Sequence, residues 1–96
     1  EYNEKAVKKQ WKEDTGILLN ELIKVFVSIN DFSSESIEKM TKEWISSKEI
    51  GFGKVMQPLR LAIVGEMKGP HLFDIIHMIG KEEAILRMKI IIKKLS

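Results

Sequence analysis

The sequence contains no cysteine, only two prolines, a single tyrosine and no long apolar run. Without cysteine the chain can form neither a disulfide framework nor a thiolate metal site, which is consistent with a cytoplasmic location. No apolar stretch reaches the roughly 18 residues of a membrane span, and no signal-peptide pattern opens the chain. Because the chain begins with Glu1 rather than methionine, we expect it to be a piece of a longer protein.

Apolar residues recur at helical spacing along most of the chain, with no internal repeat and no linker-like segment. The pattern predicts an all-α fold, a compact bundle of about five or six helices that forms a single domain over residues 1–96. Residues 1–14 are polar and are predicted to be a connecting helix from a missing upstream domain. The next helix is apolar nearly all round and is predicted to be the central core helix. Its apolar residues are Ile17, Leu18, Leu19, Leu22, Ile23, Val25, Phe26, Val27 and Ile29.

Short polar residues and glycines mark the predicted helix ends. Asp14 or Thr15 can cap the central helix, and Ser33 can cap a further helix that runs to about Lys48. Residues 50–53 include two glycines and are predicted to be a loop.

The segment of residues 53–73 contains both prolines and three of the six glycines. One helix is predicted to stop at Gly65 and another to begin at Pro70, because glycine suits the left-handed position after a helix and proline suits the first helical position. Pro58 leaves two alternatives open. Either the first of these helices begins there with Gln57 as its cap, or it begins near the start of the segment and Pro58 bends it.

A helix that begins at Pro70 is a candidate RNA-binding site. Its first N–H groups would lack intrahelical partners and would concentrate partial positive charge; they are those of His71, Leu72 and Phe73. Lys68, Arg60 on the preceding helix and the Phe73 ring are expected nearby. Donors at a helix end, a planar guanidinium and an aromatic face can bind and stack an unstacked RNA base. The alternative is an ordinary turn between two packed helices.

Charge is unevenly distributed along the chain. Residues 1–49 hold 8 Lys and 10 Asp or Glu, a net charge of −2, whereas residues 50–96 hold 8 Lys or Arg and 4 Asp or Glu, a net charge of +4. The two halves sum to the +2 of the whole chain. This distribution is consistent with weak attraction of phosphates to the second half, or with a solvated surface that is merely uneven.

Five elements follow one another in order: QPLRLA at residues 57–62, Gly65, GPHLF at residues 69–73, IGKEE at residues 79–83, and Arg87. This ordered set resembles the C-terminal anticodon-binding region of bacterial glutamyl-tRNA synthetases. That family has PLR-hydrophobic-A-x-x-G, a short loop, G/T-P-x-L-F, a helix, LGKE and a closing helix with an arginine. Residues 53–96 match best, and the first half fits in length and helical character.

The resemblance implies that the chain recognises an anticodon. The predicted anticodon-binding residues are Arg60, Lys68, Gly69, Pro70, His71, Leu72 and Phe73. Arg60 would contact an anticodon base or its phosphate, and in the P-x-L-F element backbone groups would meet base edges while side chains stack or pack. His71 stands where the family commonly has a small residue, so it either adds a contact or marks a shifted loop. Arg87 also matches, and a structural role in capping or pairing within the bundle remains open.

Two segments look like catalytic signatures of class I synthetases but do not fit them. KMTK at residues 39–42 lies on a predicted helix surface rather than in a loop, and HMIG at residues 77–80 follows it instead of preceding it. No dinucleotide-binding domain fits between them. Two isolated histidines are too few for a metal site. We therefore expect no catalytic residue and no metal site in this chain.

The expected parent enzyme attaches glutamate to tRNA(Glu), with tRNA(Gln) left open as a second substrate. The resemblance places its ATP and magnesium on a separate catalytic domain, so no cofactor is expected here. The protein is expected to be cytoplasmic and monomeric, without a membrane partner. The alternative is a helical scaffold or protein-interaction module that does not bind RNA.

Overall fold

The computed structural model describes residues 4–65 and 71–95, which form six α-helices and no strand. The helices are α1 (Glu4–Gln10), α2 (Thr15–Ser28), α3 (Ser34–Lys48), α4 (Phe52–Val64), α5 (Leu72–Ile79) and α6 (Lys81–Leu95). The Cα radius of gyration is 12.1 Å, close to the value of about 12.5 Å for one compact domain of this length. The prediction of an all-α bundle is confirmed.

Helix α2 lies at the centre of the bundle and contacts α3, α4 and α6. Its wide apolar face is buried, with Leu19, Leu22 and Phe26 fully inaccessible to solvent. The opposite side faces solvent, because Ile17 and Val27 are 64% and 60% exposed. The prediction of a central core helix is therefore confirmed, but this helix is not covered on all sides.

The start of α2 differs from the prediction. Asp14 occupies the N-cap position with φ −94° and ψ −2°, a helical rather than extended conformation, and its side chain makes no capping hydrogen bond. Thr15 Oγ1 instead accepts a hydrogen bond from the Lys12 N–H at 2.8 Å. The carboxylate of Asp14 pairs with Lys54 of α4 at 2.8 Å.

This hydrogen bond from Lys54 is the main reason why the pKa of Asp14 lies below its ordinary value. A lowered carboxylate pKa means that the pair stabilises the fold at neutral pH, and that its contribution is lost as the pH falls through that lowered pKa.

Helix α3 begins as predicted. The Ser33 side chain accepts a hydrogen bond from the Ser36 N–H at 3.2 Å, and the helix runs to Lys48. Its buried residues are Ile37, Thr41 and Ile45. The Thr41 hydroxyl has no hydrogen-bond partner within the described part of the chain, although it is buried.

Replacing Thr41 with valine is expected to stabilise the domain by about 1 kcal/mol, because a methyl of similar shape replaces a buried hydroxyl that makes no hydrogen bond. Chemical denaturation monitored by circular dichroism measures the change. Ser47→Ala on the same helix is the control, since the Ser47 hydroxyl is exposed and bonds the Trp44 carbonyl at 2.7 Å. A Thr41→Val variant that is less stable than the wild type would contradict the prediction.

Helix α4 includes Pro58 in its interior and begins at Phe52, so the alternative with the earlier helix start is correct. The bend expected at Pro58 stays a prediction. The loop predicted over residues 50–53 is consequently shorter, because the Lys54 N–H already bonds the Gly51 carbonyl at 3.1 Å. The helix ends at Gly65 as predicted, with φ +87°. This left-handed conformation favours glycine.

Helix α5 begins at Leu72 rather than Pro70. His71 holds the N-cap position with φ −55° and ψ 124°, which is not a helical conformation. The first helical hydrogen bond links the Ile75 N–H to the His71 carbonyl at 3.3 Å. The helix ends as predicted at Gly80, whose φ is +90°, and α6 follows directly.

Arg87 fixes α6 to the end of α4. Its Nη1 donates to the Ile63 carbonyl at 2.8 Å, and its Nε donates to Glu83 at 2.8 Å. The first bond satisfies a carbonyl in the last turn of α4, and the second is an ion pair within α6. Together they give Arg87 the structural role that the sequence left open.

Lys81 and His77 hold the α5–α6 junction against the loop after α2. Lys81 Nζ donates to the carbonyls of Val27, at 3.3 Å, and Ile29. It also lies 5.6 Å from the centre of the Phe32 ring. His77 Nδ1 is 2.8 Å from the Phe32 carbonyl. These contacts connect the α5–α6 junction to the end of α2 and to the loop that follows it.

Candidate nucleic-acid interface

An open groove of about 310 Å³ lies where α3, α4 and the start of α5 meet. Three groups of residues line it: Glu38 and Lys42 from α3; Phe52, Met56, Gln57 and Arg60 from α4; and His71, Leu72 and Phe73 at the start of α5. Four of the seven predicted site residues therefore lie together in one groove. We call it the α3–α5 groove.

Arg60 lies on the side of α4 that faces this groove. Its neighbours Leu59 and Leu61 point into the core, whereas Arg60 is half-buried and one guanidinium nitrogen, Nη1, is inaccessible to solvent. The guanidinium group is planar, and Arg60 lines the groove. Such a group can present paired N–H donors to a base edge or a phosphate.

The start of α5 forms another part of the groove wall. Because the first helical bond is made by Ile75, the N–H groups of Leu72, Phe73 and Asp74 are not used within the helix, and the His71 side chain does not cap them. The positive end of the helix dipole adds to the attraction of this wall for anionic and acceptor groups. His71 is exposed, and its ring centre lies 5.6 Å from that of Phe73.

Leu72 and Phe73 are each 3% exposed and belong to the core. Of the two roles left open for this element, stacking or packing, the structure favours packing for both side chains. The Phe73 ring is not available for stacking a base, because its faces are covered by the core. His71 is the exposed ring at this end of the groove.

Lys68, Gly69 and Pro70 lie outside the described residues. Their predicted contacts with the anticodon stay predictions. The described residues on both sides of them, Gly65 and His71, are at the end of α4 and the start of α5.

The sequence did not predict that Lys42 and Phe52 line this groove. Lys42 was correctly predicted to lie on the surface of α3, but that surface is the wall of the groove. Phe52 was assigned to a loop, whereas it is the first residue of α4 and is 47% exposed. A sequence signal existed, since a phenylalanine between two glycines has no helical stripe to join.

The described residues contain neither a metal-binding cluster nor a membrane-spanning helix. Within residues 4–65 and 71–95, no three histidine, aspartate or glutamate side chains come together in a way that could hold a metal ion. In the same part of the chain, every helix is too short or too polar to cross a membrane.

Comparison with known proteins agrees with the resemblance found in the sequence. The chain is 57% identical over 88 residues to the glutamate–tRNA ligase of Flavobacterium johnsoniae, covering 92% of the chain and 17% of that relative. It is 51% identical over 89 residues to the glutamate–tRNA ligase of Bacteroides thetaiotaomicron, covering 93% and 18%. The chain thus spans less than a fifth of these relatives.

Its fold is similar to part of a solved glutamate tRNA ligase from Elizabethkingia meningosepticum in complex with its amino acid. The TM-score is 0.95 and the identity 44%, over 99% of this chain and 19% of that chain. A glutamate–tRNA synthetase structure from Elizabethkingia anophelis gives a TM-score of 0.81 and 42% identity, over 96% and 17%. The family model of the anticodon binding domain matches residues 1–92. The chain therefore belongs to the anticodon binding domain family.

Proposed function

We propose that this chain recognises the anticodon of tRNA(Glu) through the α3–α5 groove, as the distal anticodon-binding part of a glutamate–tRNA ligase. The observation that carries the proposal is that Arg60 and the N-terminus of α5 line the same open groove, although eleven residues lie between Arg60 and Leu72 in the sequence. An unstacked base needs directed donors and a cation at one place, and this groove provides both.

Each part of the groove has a separate role in this proposal. The N–H groups at the start of α5 donate to acceptors on the edge of a base. The positive end of the helix dipole also attracts these acceptors. Arg60 donates to a base or a phosphate from α4. The exposed His71 ring lies at the edge, where it can contact a base. Lys68, Gly69 and Pro70 are proposed to complete the site.

In this proposal, the catalytic site of the parent enzyme lies outside this chain. The described residues form no acidic or histidine cluster that suits magnesium, and the sequence has no phosphate-binding loop. From the family resemblance we propose that ATP and magnesium bind a separate catalytic domain, where glutamate is attached to tRNA in the cytoplasm. tRNA(Gln) is a further candidate substrate, and a monomer is the proposed state of this chain.

An NMR titration with two RNAs tests the proposal. One is a stem-loop with the glutamate anticodon, and the other has the same stem and a scrambled anticodon. We expect chemical-shift changes at Arg60, His71 and Leu72 with the first RNA and a weaker response with the second. Equal responses to both RNAs, or none at these residues, would support the alternative of a helical scaffold without anticodon recognition.

Binding is expected to be weak and dependent on salt. The described part of the groove has two permanent cations, Lys42 and Arg60, and Lys68, which lies outside the described residues, is proposed as a third. For two or three neutralised phosphates, the slope of log affinity against log salt is expected to lie between about −1.4 and −2.7. Fluorescence anisotropy over a range of salt concentrations measures it. A slope near zero would contradict phosphate contacts in the groove.

A further inference from the structure

The α3–α4 wall of the groove contains an exposed aromatic ring next to a cation. Phe52 is 47% exposed, and it is the one exposed side chain among the phenylalanines and tryptophans of residues 4–65 and 71–95. Lys42 Nζ lies 5.9 Å from the centre of its ring. Both side chains line the same groove as Arg60 and His71.

The fold does not require this ring. Phe52 is not part of the buried core or of the partly buried residues packed against it. It stands at the first position of α4, between Gly51 and Gly53, where any residue that tolerates a helix start would suffice. An aromatic ring that is left half in solvent beside cations has the composition of a platform for stacking nucleic-acid bases.

Lys42 can exchange its ion-pair partner with little loss of folding free energy. It pairs with Glu38 at 2.6 Å, one turn away on α3, and the two side chains are 53% and 31% exposed. A surface pair of this kind contributes little to stability, so a phosphate can replace the carboxylate. The lysine therefore stands where it can contact the backbone of a nucleotide whose base lies on Phe52.

We propose that Phe52 stacks a second unpaired nucleotide of the anticodon loop and that Lys42 contacts its phosphate. This inference rests on the proposed function, since it requires that one nucleotide binds at the start of α5 and that the adjacent nucleotide stacks on Phe52. The groove then holds two consecutive nucleotides, one between Arg60 and the start of α5 and one on the α3–α4 wall. Stacking without directed hydrogen bonds accepts any base, so this position adds affinity and contributes little sequence preference.

Phe52→Leu tests the stacking role, because leucine keeps an apolar side chain and removes the flat ring. We expect the affinity for the glutamate-anticodon stem-loop to fall by about 5- to 150-fold, the range for one stacked base, and Phe52→Trp to keep or increase it. Leu86→Ala is the control, since Leu86 is 51% exposed on α6 and does not line the groove. Each variant should melt within about 4 °C of the wild type, as surface substitutions do.

Lys42→Gln tests the phosphate contact. It should reduce the steepness of the salt dependence by about 0.7 to 0.9 in the log–log slope. Lys39→Gln, an exposed lysine on the same helix outside the groove, should leave the slope unchanged. Equal slopes for Lys42→Gln and the wild type would overturn the phosphate contact.

Nuclear Overhauser contacts between the Phe52 ring protons and the base protons of one loop nucleotide would support the stacking directly. If the wild type prefers the glutamate anticodon while Phe52→Leu binds as tightly as the wild type, this inference is wrong and the proposed function stands. If the wild type shows no preference for the anticodon, the proposed function itself fails. Because stacking on Phe52 does not discriminate between bases, we expect Phe52→Leu to lower the affinity for both stem-loops by the same factor.

Discussion

Replacing Phe73 with alanine is expected to destabilise the domain by about 3–5 kcal/mol. Its ring is 3% exposed and packs in the core with residues from several helices. Removing a buried aromatic ring loses its transfer free energy and leaves a cavity that the surrounding helices fill only in part. A domain of this size has about 5–15 kcal/mol of total stability, so the variant would keep only a fraction of it.

Urea denaturation followed by circular dichroism measures this loss. Met78→Ala is the matched control on the same helix, because Met78 is 79% exposed and its truncation should change the free energy of unfolding by no more than about 0.5 kcal/mol. RNA binding by the Phe73 variant is measured at a temperature where it remains folded. Native-like stability together with a loss of RNA binding would show that the ring serves the RNA and not the core.

Replacing Arg60 with alanine is expected to weaken binding of the glutamate-anticodon stem-loop by about 1–3 kcal/mol, the range for one well-placed charged contact. Arg60 is half-buried and lines the groove together with the start of α5, and its guanidinium N–H groups are the proposed donors to the RNA. Losing it removes those donors as well as one positive charge. Isothermal titration calorimetry or anisotropy at fixed salt gives the difference.

Arg60→Lys separates charge from geometry in this experiment. Lysine keeps the charge but lacks the planar fork, so most of the loss should remain if the guanidinium contacts a base edge, and little should remain if it contacts only a phosphate. Lys89→Ala, which removes an exposed charge on α6, is the control for net charge. Thermal melts must show that each variant is folded, because one nitrogen of Arg60 is buried. Unchanged affinity for Arg60→Ala would remove this residue from the site.

The comparison of α2 with α4 shows what periodicity can and cannot predict. The apolar spacing of α2 predicted a buried helix, yet the exposure of Ile17 and Val27 depended on where the other helices left a gap. The position of Pro58 could not be decided from the sequence, because a proline is tolerated both at a helix start and, at a cost, inside a helix. The structure has the longer helix, with Pro58 in its interior and α4 packed against α2 and α6.

The candidate site shows the same division. The motif residues in the second half of the chain predicted Arg60 and the start of α5 as partners, and the structure places them in one groove. Lys42 and Phe52 were not predicted to line the groove, because Lys42 was assigned to a helix surface and Phe52 to a loop, and both reach the groove through the packing of α3 against α4. The role of Phe73 was ambiguous in the sequence, since both core packing and base stacking use an aromatic ring.

The sequence by itself determined the helical class, the glycine stops at Gly65 and Gly80, the Ser33 cap and the family, because these depend on local conformational preferences and on an ordered set of residues. Only the tertiary structure decided which apolar residues are buried and which side chains from α3, α4 and α5 share a groove. The physical reason is that burial and a shared surface depend on contacts between residues far apart in the chain. The spacing of apolar residues along one helix indicates which face of that helix is buried, but not which other residues pack against that face.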